Sequence, residues 1–149
     1  MSRSQKINIK DLLGYKIKKT QHALRTYMDE SLKTINLTTP QYAVLAQLEL
    51  EKGVSNAELA RKSFITPQTM HGIILNLEKR SLLKREKSLD HGRILYNKIT
   101  KQGIEAVQKA HHLISDIEGK MTDTIDQNQK SLLEDLLSKC LNNLKRNMK

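Results

Sequence analysis

The stretch TPQTMHGIILNLEKRSLLKREKSLDHGRILYNKIT, residues 66–100, decides the architecture. Thr66 and Pro67 form a helix start: the hydroxyl can accept a first-turn N–H, and proline's missing N–H costs nothing in that turn. Met70, Ile73, Ile74 and Leu77 then recur at helical spacing and mark one buried stripe, which ends at Lys79 and Arg80. After Ser81 the pattern changes. Residues 82–88 and 94–100 flank LDHGR, residues 89–93, whose turn residues and glycine predict a β-hairpin. Alternation in the first strand is poor, so length and turn chemistry carry that reading. Thr100 is placed to cap the helix that follows.

Upstream, two further helices announce themselves. Ser55 with Glu58 three residues on is a capping box, opening a helix that contains Leu59 and Ala60. The gap from Lys62 to Thr66 has the length of a helix-turn-helix turn. Thr38 with Gln41 is a second capping box, with Pro40 in the first turn. Its helix runs through Tyr42, Leu45 and Leu48 and stops before Gly53. Farther out, Leu12, Leu13, Ile17, Leu24, Tyr27, Met28, Leu32 and Ile35 predict one long helix over 9–35, capped by Asn8. Downstream, Ile104, Val107, Ala110, Ile114, Ile117 and Met121 mark another. Leu133, Leu136, Leu137, Cys140, Leu141 and Leu144 mark a last one after a break at 126–128.

Helix, helix, turn, helix, hairpin is the order of a winged helix-turn-helix. The expected fold is therefore mainly α, with a two-stranded β-wing. Residues 1–149 read as one unit, with the winged helix-turn-helix in 38–100. A small three-helix core leaves the apolar stripes of 1–37 and 101–149 uncovered. These segments are expected to be dimerisation helices, and Leu133, Leu136, Leu137, Leu141 and Leu144 are expected to bury against a second copy in a homodimer.

Bulk properties narrow the function. Apolar residues make up 38% of the chain and charged residues 28%, ordinary for a globular protein. No apolar run reaches the roughly 20 residues of a membrane helix. The first ten residues show no secretory signal, and a single cysteine, Cys140, suits a reducing cytoplasm, so a cytoplasmic location is expected. The net charge of +10 favours polyanionic partners, nucleic acid being the commonest. Residues 1–37 hold 8 basic and 3 acidic side chains, residues 38–100 hold 10 and 6, and residues 101–149 hold 8 and 7. The excess belongs to the first two thirds. No phosphate loop, nucleophile motif or paired carboxylates point to an enzyme, and no cofactor is implied. His111 and His112 point about 100° apart on a helix, so no metal site is expected.

The stripe of the 67–80 helix leaves Gln68, Thr69, His71, Gly72, Leu75, Asn76 and Lys79 on other faces. The N-terminal end of such a helix reaches base edges in the major groove of double-stranded DNA. Gln68 and Asn76 can donate and accept together, as adenine readout requires, and Thr69 can meet a base or a thymine methyl. Lys79 and Lys84 are phosphate candidates. The helix starts at Ser55 and Thr66 also offer free N–H groups to phosphate. Arg93, at the hairpin tip, suits a narrow minor groove.

These residues resemble the MarR (multiple antibiotic resistance regulator) family of transcription factors over nearly the whole chain. Residues 37–45 resemble the start of the family's second helix. Residues 66–85 resemble its recognition helix and first wing strand. Asp90 to Arg93, then Ile99, Thr100 and Gly103, are similar to its wing tip and fifth helix. The resemblance implies a dimeric regulator, expected to be a repressor, on an inverted-repeat operator. It further implies a small aromatic effector bound between the dimerisation helices and the reading head; Tyr15, Tyr27 and Tyr42 could line such a cavity, but tyrosines in long helices are more often core or interface residues, and no ligand residue is assigned. It implies as well that an aspartate holds the wing arginine. Asp90 stands three residues before Arg93 rather than two, so the loop is one residue longer. Gly72 replaces a frequent arginine, which implies close backbone approach or a weaker helix. Leu75 replaces a polar residue, and packing on a neighbouring element is favoured over a thymine methyl. The family's redox sensing uses a cysteine near the N-terminus, and this chain has none there.

Overall fold

Hydroxyl and carboxamide side chains set where the helices begin. In the computed structural model, which describes residues 6–90 and 92–148, the Thr38 hydroxyl accepts from the Gln41 N–H at 3.2 Å. The Gln41 carboxamide oxygen accepts from the Thr38 N–H at 3.1 Å. This reciprocal cap opens α2, Thr39–Leu50. Ser55 and Glu58 repeat it at the start of α3, Asn56–Lys62. Thr66 accepts from the Thr69 N–H at 3.3 Å and opens α4, Pro67–Lys79. Thr100 accepts from the Gly103 N–H at 3.0 Å and opens α5, Lys101–Met121. His91 of the expected wing tip lies outside the described residues.

The long helix expected over 9–35 is interrupted. Asn8 caps only a short 3-10 turn, Ile9–Asp11, because its side chain accepts from Lys10, two residues on. Leu12 is extended, with ψ 134°, and α1 proper runs Leu13–Lys33. Apolar spacing continues through Leu12, which is why periodicity alone hides the break.

Three helices end the same way. Asn36, Phe64 and Ser81 adopt left-handed conformations, with φ of 57°, 55° and 59°. Each time the following apolar residue donates back five positions: Leu37 to Leu32, Ile65 to Ala60, Leu82 to Leu77, at 3.0–3.1 Å. The turn satisfies an orphan carbonyl and swings an apolar side chain under the helix it has just left.

The hairpin forms over β2, Leu83–Lys87, and β3, Leu95–Ile99. The sheet has three strands rather than the two expected. The strand order is β1-β3-β2, all antiparallel, and β1 is only Val54–Ser55. Two residues give no alternation to read, and a side chain of β3 holds them in place. Asn97, fully buried, donates from Nδ2 to the Val54 carbonyl at 2.9 Å and to Asn56 Oδ1 at 2.7 Å.

The chain divides into two compact units, Met1–Ile114 and Ser115–Lys149. The core of the first joins Leu32, Leu37, Val44, Leu45, Leu48, Leu59, Met70, Ile74, Leu77, Leu83 and Val107. Each such side chain removed from water contributes about 1.5–3 kcal/mol against chain entropy. Gly103 lets α5 lie against the β2 end of this core. The second unit holds the end of α5 and then α6, Gln127–Asn147, which starts at an Asp126–Gln129 capping box. Leu133, Leu136, Leu137, Leu141 and Leu144 of α6 are 45–63% exposed, and Cys140 is half-buried. Among the described residues no helix is long and apolar enough to cross a membrane.

Candidate nucleic-acid interface

The face of α4 opposite its core stripe carries the predicted readers. Met70, Ile74 and Leu77 are buried and Ile73 half-buried, while Gln68, Thr69, His71, Gly72, Leu75, Asn76 and Lys79 are exposed. At 100° per residue, Gln68, Gly72, Leu75 and Lys79 share the outermost line. Thr69 and Asn76 lie on one flank of it, and His71 lies on the other. Leu75 does not pack on a neighbouring element as expected: it is 44% exposed, centred on this line. No described atom comes within 4 Å of a Cβ built on Gly72, so close approach within the chain does not explain that glycine.

Two of the expected phosphate groups are already engaged. The Ser55 hydroxyl and N–H both bond Glu58, whose carboxylate therefore sits at the start of α3 and would repel a phosphate there. The Thr66 hydroxyl accepts from Thr69 N–H and donates to the Thr69 hydroxyl at 3.0 Å. What remains at α4 is its first-turn backbone N–H groups.

On the wing, Lys84 Nζ lies 3.0 Å and Lys98 Nζ 2.5 Å from the Glu86 carboxylate. Hydrogen bonds from Lys98 and then Lys84 hold that carboxyl below its usual value. Two lysines around one carboxylate leave a net positive strand face. Arg93 is exposed, and among the described residues no ion pair joins it to Asp90. Asp90 instead donates its backbone N–H to the Ser88 hydroxyl at 3.2 Å. Lys79 is exposed and makes no ion pair among the described residues.

Several residues that sequence reasoning did not place here brace α4 or its neighbour α2. Gln41 Nε2 donates to Asn76 Oδ1 at 3.0 Å, linking α2 to α4. Arg80 donates to the Asn36 carbonyl at 2.8 Å and to Gln41 Oε1 at 3.4 Å. His111 of α5 donates from Nε2 to Glu49 at 2.7 Å, and its Nδ1 lies 3.0 Å from the Tyr42 hydroxyl. Tyr42 is thus held edge-on to an imidazole, 5.5 Å between ring centres. Of the other long-helix tyrosines, Tyr27 is exposed. Tyr15 lines an open apolar hollow of about 540 Å³ with Ile9, Leu12, Leu13, Gly14 and Lys18. Among the described residues no group of three or more His, Cys, Asp or Glu side chains could hold a metal.

A short helix, a left-handed turn and a second helix with an exposed face, closed by a small antiparallel sheet, define a winged helix-turn-helix. Residues 35–94 match the model described as MarR family. The HTH-type transcriptional repressor Rv2887 of Mycobacterium tuberculosis is 28% identical over 127 residues, 85% of this chain and 91% of its own. The crystal structure of that protein with salicylic acid superimposes with a TM-score of 0.72 at 27% identity, over 87% of this chain and 96% of that one. The apo structure of Escherichia coli MarR shows the same fold, with a TM-score of 0.77 at 21% identity over 87% and 97%. Over residues 35–94 the chain thus resembles MarR-family transcriptional regulators, and across most of its length it shares their fold.

Proposed function

We propose that the chain is a dimeric repressor that binds an inverted-repeat operator in double-stranded DNA from the cytoplasm. The observation that carries this is the exposed polar face of α4, with a basic wing behind it, in a chain that resembles MarR-family transcriptional regulators. In this reading Gln68, Thr69, His71 and Asn76 face base edges and Gly72 leaves room for them. Lys79, Lys84 and the N–H groups after Thr66 hold phosphates, and Arg93 enters the flanking minor groove. Ser55 and Asp90 contribute by shaping α3 and the wing loop.

The second copy answers the leucines of α6. Five half-exposed leucines on one helix face are unfavourable in water, and an isologous partner removes them together. The effector proposed is a small aromatic acid, supported by the salicylic acid held in the structure of the Rv2887 relative.

A mobility shift on DNA from upstream of the protein's own gene, with unrelated competitor, tests the reading. Retardation that survives competitor and is released by salicylate supports all of it. Equal retardation of every duplex would instead indicate non-specific coating, and no retardation would turn the winged helix toward protein contacts.

A further inference from the structure

Asn76 is exposed on the flank of α4, and its amide is held in one orientation. Its oxygen accepts from Gln41 Nε2 at 3.0 Å. The orientation of Gln41 is itself fixed. Its oxygen accepts from the Thr38 backbone N–H at 3.1 Å and from the Arg80 guanidinium at 3.4 Å, two groups that can only donate. Gln41 must therefore turn its NH₂ toward Asn76, and Asn76 must answer with its oxygen. The Asn76 NH₂ is left as the group available outward.

We propose that Gln41 is a positioning residue that restricts Asn76 to donor-only readout. This rests on α4 being the major-groove helix. A bidentate adenine contact needs the amide to donate to N7 and accept from the N6 amino group together. With its oxygen turned toward α2 and its NH₂ turned outward, Asn76 selects a base edge that offers an acceptor: purine N7, guanine O6 or thymine O4. It disfavours cytosine, whose major-groove edge offers an amino donor.

The Gln41→Glu variant isolates this effect. Glutamate completes a capping box as well as glutamine, so the Thr38 N–H keeps its acceptor and Arg80 gains a charged one. The carboxylate has no donor for Asn76. Asn76 must turn its amide over to give NH₂ to the carboxylate, which puts its oxygen outward. Preference should invert, toward cytosine N4 or adenine N6.

The test selects binding sites from a randomised duplex pool with the parent, Q41E, N76A and the Q41E/N76A double variant, with thermal melts confirming folding. The parent should exclude cytosine at one position of each half-site by about fivefold, what one net hydrogen bond provides. N76A should lose that exclusion. Q41E should reverse it, and the double variant should match N76A. A folded Q41E that keeps the parent's preference overturns the proposal, as does an N76A that retains it. A parent that enriches no sequence overturns both the proposal and the reading of α4 beneath it.

Discussion

The carbonyl oxygen of Leu82 stands where a side chain on Gly103 would begin: a Cβ built there lies 2.0 Å from it and 2.7 Å from Ile99 Cγ1. That carbonyl already accepts from the Thr100 N–H at 3.1 Å and is not free to retreat. Gly103→Ala should therefore destabilise the fold by about 1–3 kcal/mol or more, as overpacking does. Gly72→Ala is the control, since a Cβ at Gly72 meets open space. It should stabilise by about 0.5–1 kcal/mol, the ordinary helix preference for alanine. Urea unfolding of both variants checks the opposite signs.

Acid should loosen the joint between α1 and α2. Partial desolvation alone would raise the Asp29 carboxyl, but hydrogen bonds from Thr39, at 2.5 Å, and from Arg25 outweigh it and hold it below its ordinary value. A carboxyl lowered on folding stabilises fully above its unfolded pKa, about 3.9. That contribution fades as pH falls from there through the folded value. Asp29→Asn should flatten the acid limb of a stability-against-pH curve: the variant is less stable than the parent near neutrality and converges with it at low pH. An unchanged limb would contradict the assignment.

Sedimentation addresses the leucine face. The parent at micromolar concentration should show a mass near twice 17.1 kDa. Leu137→Glu places a charge in the middle of the row and should yield monomers or unfolded chains. A parent that is monomeric would leave the proposed second copy without support.

Wing and helix should fail differently. Arg93→Ala should weaken binding most at operators with A·T-rich flanks, whose narrow minor groove attracts a guanidinium. Lys79→Ala should weaken all sequences alike and make the salt dependence shallower by about one unit of slope. If Arg93→Ala binds A·T-flanked sites as tightly as the parent, the wing does not read the minor groove.

Much of this was legible in the sequence because it is local. Thr38, Ser55 and Thr66 cap their helices from three residues away, and the stripe of α4 is buried as its spacing predicts. What stayed hidden depends on partners far along the chain. Gln41 reads as a capping residue, but its bond to Asn76 spans 35 residues. The break at Leu12 lies inside a continuous apolar pattern, and β1 is too short to have one. Leu75 looks like a packing residue only until its neighbours are known. Asn97 left a trace: asparagine is depleted in strands, so one in the middle of β3 signals a buried partner.

That asparagine has a consequence for spacing. Through Val54 and Asn56 it clamps the strand that carries the wing to the start of the helix pair that carries α4. Helix and wing therefore form the two fixed jaws of a caliper. If α4 meets base edges and Arg93 the flanking minor groove, as proposed, a duplex with one base pair inserted between the two would present two contacts of which the molecule could grip only one. On that proposed reading the clamp would make the protein sensitive to distance along DNA as well as to its letters.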